Sequence, residues 1–229
     1  MSKRPVANPL ALAVLSCLWE RPMYPYEMTT SLRERGKEDS IRLNFGSLYA
    51  VIKSLEKHGL IEATHTEREG NRPERIVYDI TEAGKTEAVD WLRELLAQPA
   101  KEYPAFETGL SLLPMLPPAE VATLLRDRLD RLAADLAGRE QLAGTPQVQR
   151  LPELFLIEFH YRIAMLEAER DFVAALVRRL DSGDFGGVRD WARLHEMLAA
   201  GLPRAEIAAE IASYAATFTG EDADTKKNT

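Results

Sequence analysis

The sequence predicts a mainly α-helical protein with one small β-hairpin, arranged as two helical parts. Apolar residues recur at spacings of three and four through most of the 229 residues, which is the signature of helices with one buried side. That period is broken once, over residues 61–80, by two short alternating runs around a polar Gly-Asn turn. It is broken again by the segment Gln98 to Pro104, whose Pro99 and Pro104 make a boundary. With 45% hydrophobic residues, a chain of this length can bury a core in each part.

In the first part, Asn8 is placed to cap a helix that has Pro9 at its first position and an apolar run to Trp19; Arg21-Pro22 ends it. A second, amphipathic helix is expected over Pro25 to Arg35, with Tyr26, Met28 and Leu32 available for packing and Gly36 as its stop. After a polar loop from Lys37 to Leu43, a third helix runs from about Asn44, a good N-cap, to His58, and Gly59 closes it. Ile61 to Thr66 and Arg75 to Ile80 read as two strands around Glu67 to Glu74, which contains Gly70-Asn71 and Pro73. Thr81 then caps a fourth helix to about Ala97, with Ala88, Val89, Leu92, Leu95 and Leu96 expected on one apolar side and Trp91 beside it. Three short helices, a hairpin and a closing helix form a winged helix-turn-helix arrangement, expected over residues 1–97.

Residues 98–219 are predicted to be all helical. Glu107 to Met115 is a short apolar piece. Pro117-Pro118 opens a helix to about Leu142 with a stripe at Val121, Leu125, Leu129, Leu132 and Leu136. A long helix over Pro152 to Asp181 carries Phe155, Phe159, Ile163, Leu166, Val173, Leu176 and Leu180 along one side, so these two helices should pack antiparallel on each other or on a second subunit. Val188 to Ala200 and Pro203 to Phe218 read as two final helices, and residues 220–229 as a disordered polar tail.

The net charge of −7 is divided unevenly. Residues 1–96 hold 14 Lys and Arg against 15 Asp and Glu, a net of −1, which leaves 15 against 21, a net of −6, for residues 97–229. Any contact with a polyanion must therefore come from a few placed cations rather than a broad basic field. No apolar run approaches the roughly 20 residues of a membrane span, and Met1 to Ala7 lack the apolar core of an export signal, so a cytoplasmic protein is expected. The single cysteine, Cys17, lies in an apolar run and is read as a small core residue.

On the third helix, about 100° per residue puts Phe45, Leu48, Val51, Ile52 and Leu55 on one side, facing the core. The opposite side carries Gly46, Ala50, Lys53 and Lys57, flanked by Ser47, Ser54 and Tyr49. Small residues early allow close approach to a groove, and hydroxyl and ammonium groups suit base edges and phosphates; an ordinary solvated surface is the other reading. Arg68, Arg72 and Arg75 lie on or beside the hairpin tip, where arginine can enter a minor groove, although Glu67, Glu69 and Glu74 are interleaved with them.

The order Leu12-Ala13-Val14-Leu15, Arg21-Pro22-Met23-Tyr24-Pro25-Tyr26-Glu27-Met28, Gly46-Ser47-Leu48-Tyr49, Leu55-Glu56, Gly59-Leu60-Ile61, Gly70-Asn71-Arg72-Pro73, Tyr78, Ile80-Thr81 and Ala83-Gly84 resembles the PadR family of transcriptional regulators over roughly residues 9–97. Histidine and glycine are common in that family where this chain has Tyr24 and Pro25. The resemblance implies a homodimeric regulator, usually a repressor, whose third helix enters the major groove of double-stranded DNA while the wing lies on the adjacent backbone or minor groove. Carried onto this sequence, Asn44, Ser47, Tyr49, Lys53 and Lys57 are the helix candidates, Arg68, Arg72 and Arg75 the wing candidates, and Tyr26 a phosphate contact or a half-buried core tyrosine. The helical second half resembles the longer C-terminal region of one branch of the family, and its implied task is dimerisation. Paired helix-turn-helix modules reading an inverted repeat must be held about one DNA turn apart, which calls for such a domain.

Trp91, Tyr103, Phe106, His160 and Tyr161 are candidates for an effector pocket between the halves, suited to a small aromatic or hydrophobic molecule; core packing is the simpler account of most of them. Phe159, Trp191 and His195 stand with them. No cofactor is expected. The histidines show no metal-ligand spacing, and the sequence has no phosphate loop or nucleophile-base arrangement, so an enzyme is not expected.

Overall fold

Helix α1 (Pro9–Glu20) begins where the Asn8 side chain accepts a hydrogen bond from the Leu10 amide at 3.0 Å. The computed structural model describes residue 4 and residues 6–67 and 75–219. Seven residues of α1, from Leu10 to Leu18, are buried on several sides of the helix, so it forms the centre of the N-terminal core rather than a surface layer. Helices α2 (Pro25–Glu34) and α3 (Phe45–Lys57) supply Met28, Leu32, Leu48, Ile52 and Leu55 to the same core. Complete burial of each such side chain contributes about 1.5–3 kcal/mol. Gly36 and Gly59, with φ of 67° and 69°, end these two helices in the left-handed conformation that glycine adopts without strain.

Strands β1 (Ile61–Glu67) and β2 (Arg75–Ile80) form an antiparallel hairpin in which Ile61 pairs with Ile80 and Glu67 with Arg75. β1 is one residue longer than the sequence period indicates, because the pairing extends to Glu67. A bulge between Ala63 and His65 also interrupts the register, and the Thr64 hydroxyl donates to the Val77 carbonyl at 3.2 Å. At its base β2 gains a second neighbour, since the Met23 and Tyr78 backbones exchange two hydrogen bonds of 3.0 Å each. The linker between α1 and α2 is thereby tied to the hairpin.

Helix α4 (Glu82–Ala97) returns across the domain. Thr81 caps it by accepting from the Gly84 amide at 3.0 Å, and its hydroxyl donates to the Gly59 carbonyl at 2.7 Å. Gly84 presses on the same turn so closely that a Cβ there would lie 2.0 Å from the Leu60 carbonyl oxygen. Only the first ten residues of α4 meet the core, through Gly84, Ala88 and Trp91. The expected apolar side is corrected in its second half: Leu92, Leu95 and Leu96 are exposed because α4 runs on past the surface on which it packs. The Arg4 guanidinium pairs with Glu87 and Glu94 and lies over the Trp91 ring, closing the N-terminal arm onto α4.

The chain divides into two compact units, Met1–Glu102 and Tyr103–Thr229. In the second, α5 (Ala105–Ser111) and a 3-10 turn at Leu113–Met115 replace the single apolar piece, and α6 (Pro118–Ala143) follows. A short α7 (Pro146–Gln149) leads to α8 (Ile157–Ser182). The start of α8 is a correction to the expected Pro152: residues Glu153–Phe155 form a separate 3-10 turn after that proline, which leaves Phe155 exposed instead of on the packed stripe. Helices α6 and α8 pack antiparallel, with Val121 and Leu125 against Val173, Leu176 and Val177 at one end and Leu132 and Leu136 with Leu166 at the other. Ion pairs Arg126–Asp181 and Arg128–Glu169 run across the same seam. Helices α9 (Val188–Ala199) and α10 (Arg204–Thr219) complete the unit; Trp191 Nε1 donates to the Leu116 carbonyl at 2.9 Å, and His195 Nε2 lies 3.0 Å from the Pro114 carbonyl oxygen. The expected polar tail, residues 220–229, lies outside the described residues. Among the described residues no helix is long and apolar enough to cross a membrane.

Candidate nucleic-acid interface

Helix α3 is positioned by its buried side. Leu48, Val51, Ile52 and Leu55 are fixed in the core, so rotation about the helix axis is prevented and the remaining faces are set by the 3.6-residue period. Gly46, Tyr49, Ala50, Lys53 and Lys57 emerge on the exposed side, with Ser47 and Ser54 half-buried at its margins. Lys53 and Lys57 are one turn apart, and neither has a carboxylate partner among the described residues, so both ammonium groups are available to an external anion. Asn44 is occupied differently. Its side-chain oxygen accepts from the Ser47 amide at 2.7 Å, which fixes the first turn of α3.

The approach to α3 contributes a cation that periodicity did not single out. Residues 41–44 are irregular, and Ile41 and Leu43 pack against the core while Arg42 between them is exposed. Burial alternates along this segment, so Arg42 and Asn44 are both exposed at the N-terminal end of α3. The signal was available as an apolar-Arg-apolar triplet before an N-cap. Arg42 has no carboxylate partner among the described residues.

Helix α2 brings a second group. Glu27 reaches back to accept from the Tyr24 amide at 3.2 Å and also pairs with Arg21, closing the first turn. Tyr26, in that same turn, is 60% exposed. Tyr24 is half-buried, and the Arg75 guanidinium stands 4.7 Å from its ring centroid, a cation-π contact between the start of α2 and the outer end of β2. Arg75 is therefore held at the outer end of β2, opposite Glu67, while Arg68 and Arg72 lie outside the described residues. Burial pushes the Tyr78 hydroxyl above its ordinary range, with Glu56 and Tyr49 adding to the effect, so it stays a neutral donor.

The five effector-pocket candidates belong to both units. Trp91 is buried in the N-terminal core beneath Arg4, and Tyr103, His160 and Tyr161 are exposed in the C-terminal unit. Phe106 alone of the five borders a cleft of about 420 Å3 in that unit. Phe159 is half-buried beside His160, and Trp191 and His195 spend their ring nitrogens on pinning the turn before α6. Among the described residues no three His, Cys, Asp or Glu side chains are grouped so as to hold a metal ion.

Residues 14–90 match the profile of the transcriptional regulator PadR-like family. No curated protein is significantly similar to this chain. Among solved structures, that of Bacillus subtilis PadR in complex with operator DNA is similar with a TM-score of 0.57 and 21% identity, over 76% of this chain and 99% of that one. The same Bacillus subtilis protein in complex with p-coumaric acid is similar with a TM-score of 0.59 and 18% identity, over 75% of this chain and 98% of that one. The PadR-like transcriptional regulator BC1756 from Bacillus cereus is similar with a TM-score of 0.53 and 17% identity, over 76% of this chain and 99% of that one. At these identities the likeness is one of fold, a winged helix followed by a helical C-terminal region.

Proposed function

Because residues 14–90 are a domain of the PadR-like family of transcriptional regulators, we propose that this chain binds double-stranded DNA as a homodimer and represses transcription at an inverted-repeat operator. The observation that carries this reading is the division of α3: one side is locked into the core, while the other offers Lys53 and Lys57 without internal carboxylate partners. Ser47 and Tyr49 would meet base edges, the two lysines and Arg42 the phosphates, and Arg72 and Arg75 the strand beside the wing. Tyr26 and the amide of Asn44 would flank this contact, and Arg68 would join it from the wing. A protein similar in fold is in complex with operator DNA, which supports DNA as the partner here.

Dimerisation through residues 98–219 is supported by α8. Its side away from α6 carries a second apolar stripe, Ile157, Tyr161, Met165 and Phe172, each at least half exposed in the single chain. A stripe at spacings of four, four and seven is the form in which a helix packs on another helix. Pairing two chains doubles the few available cations, which a domain with a net charge of −1 needs. A small molecule released or bound by the C-terminal unit would make the repressor responsive, and the protein would act in the cytoplasm without catalysing a reaction. Selection of DNA fragments by the purified protein tests the reading: an inverted repeat is expected. Replacing Lys53 and Arg72 with alanine should leave a dimer with weakened operator affinity and a salt dependence shallower by about one unit for each cation removed. Unchanged affinity in that variant would end the reading.

A further inference from the structure

Helix α3 lacks most of the side chains that read a base pair through two hydrogen bonds at once. In a major groove those contacts are made by arginine or lysine with guanine, and by asparagine or glutamine with adenine. α3 has no arginine, asparagine or glutamine, and its one acidic residue, Glu56, is in the last turn. The oxygen of its N-cap, Asn44, already accepts from the Ser47 amide at 2.7 Å, whereas adenine calls for that oxygen together with the NH2 group. Lys53 brings a point charge on a flexible stem, suited to a phosphate. Recognition helices of helix-turn-helix modules meet base edges with their N-terminal residues, and there α3 offers apolar surface: Ala50 is exposed and Tyr49 is 52% exposed.

Gly46, on the same side, supplies an independent observation. Glycine within a helix is destabilising relative to alanine, so its presence calls for a reason. Gly36 and Gly59 have positive φ, and Gly84 is pressed on the Leu60 carbonyl. Gly46 has neither feature. A Cβ there would meet only Asn44 Oδ1 among the described residues, at 3.8 Å, which is an ordinary contact. The room above Gly46 therefore serves nothing within the domain and suits a body that approaches from outside. The base feature that apolar surface reads in a major groove is the C5-methyl group of thymine. We propose that this chain discriminates its operator chiefly through thymine methyl groups, with Ala50 and the Tyr49 ring as the specificity-determining contacts and Gly46 as the positioning residue that admits the helix to their depth. The proposal rests on the DNA-binding reading above and specifies what that surface recognises.

The test uses the unaltered full chain and an operator obtained by selection from random duplexes, in which each thymine is replaced in turn by deoxyuridine, symmetrically in both half-sites. Uracil differs from thymine only by the methyl group, and no folding defect can imitate its effect. Burial of one methyl corresponds to about fourfold in affinity, so at one or more positions the paired replacement should weaken binding by roughly tenfold. That preference should shrink in Ala50→Gly or in Tyr49→Ala. Gly46→Ala should bind the operator at least about tenfold more weakly while unfolding at a higher urea concentration than the parent, a combination that a structural role for the glycine would not give. Uracil duplexes bound as tightly as thymine duplexes at every position, a preference unchanged in both Ala50→Gly and Tyr49→Ala, or parental affinity in Gly46→Ala would each overturn the proposal and leave the DNA-binding reading intact. Failure to select any duplex would overturn both.

Discussion

The Arg75 guanidinium is stacked on the ring of Tyr24, 4.7 Å from its centroid, and so joins the N-cap of α2 to the outer end of β2. Tyr24 stands where histidine is common in the family this chain resembles, and the contact gives the larger ring a structural task. Replacing Tyr24 with leucine should keep the fold, because Met23 and not Tyr24 makes the backbone bridge to Tyr78. It removes an attraction of about 0.5–1 kcal/mol and lets Arg75 wander. Fluorescence anisotropy with operator DNA should show binding weakened by about two- to fivefold, while Tyr24→Phe stays near the parent. Equal loss in both variants would show that the hydroxyl, and not the ring face, matters.

Gly84 is predicted to be the least replaceable residue of α4. A methyl group there would lie 2.0 Å from the Leu60 carbonyl oxygen and 2.8 Å from Ile80 Cγ1, and backbone cannot move aside as a flexible side chain can. Gly84→Ala should destabilise the N-terminal unit by about 1–3 kcal/mol despite the better helix propensity of alanine. Urea denaturation followed by tryptophan fluorescence measures this, Trp91 being in that core. A stabilised variant would mean that α4 slides freely on the α3–β1 turn.

On α8, Met165→Asp should convert the proposed dimer to a monomer without unfolding it, since Met165 is 50% exposed in the single chain. Sedimentation velocity would report the change of mass and circular dichroism the retained helices. Loss of operator binding should accompany it, because each half-site contact alone has few cations. A dimer that persists would move the interface elsewhere, for example to Leu92, Leu95 and Leu96 of α4.

Cys17 should resist thiol reagents. Burial pushes its thiol up to about 11, and the neighbouring Arg35 only partly offsets this. At pH 8 an aromatic disulfide reagent should react at the rate of global or local unfolding and not at that of an exposed thiol. The sign of the linked pH effect follows: the folded chain keeps this proton up to about 11, whereas the unfolded thiol releases it near 9.0, so stability falls as pH rises through that window. Rapid labelling of the native protein would show that the α1 core opens readily.

Much of the N-terminal unit was legible because its determinants are local. Asn8, Asn44 and Thr81 are caps, Gly36 and Gly59 are stops, and each acts within a few residues of its own position. The buried side of α3 followed from helical period alone. What escaped were relations set by distant partners. The Met23–Tyr78 bridge joins residues 55 positions apart, and the Arg75–Tyr24 stack has no trace in either local sequence. Period also cannot tell how far a helix stays on its core, which is why Leu92, Leu95 and Leu96 were assigned to a packed side. Arg42 was overlooked because it lies in an irregular loop, where only alternation over three residues marks its direction.

The double hydrogen bond between Met23 and Tyr78 means that the hairpin has no freely swinging root. To tilt the finger away from α2, two backbone bonds must part at once, so finger and helix pair travel together as a single tool. On the proposed DNA-binding reading, a duplex whose grooves are spaced differently from that tool must itself bend to be gripped, and such a protein would select its sites partly by their willingness to deform.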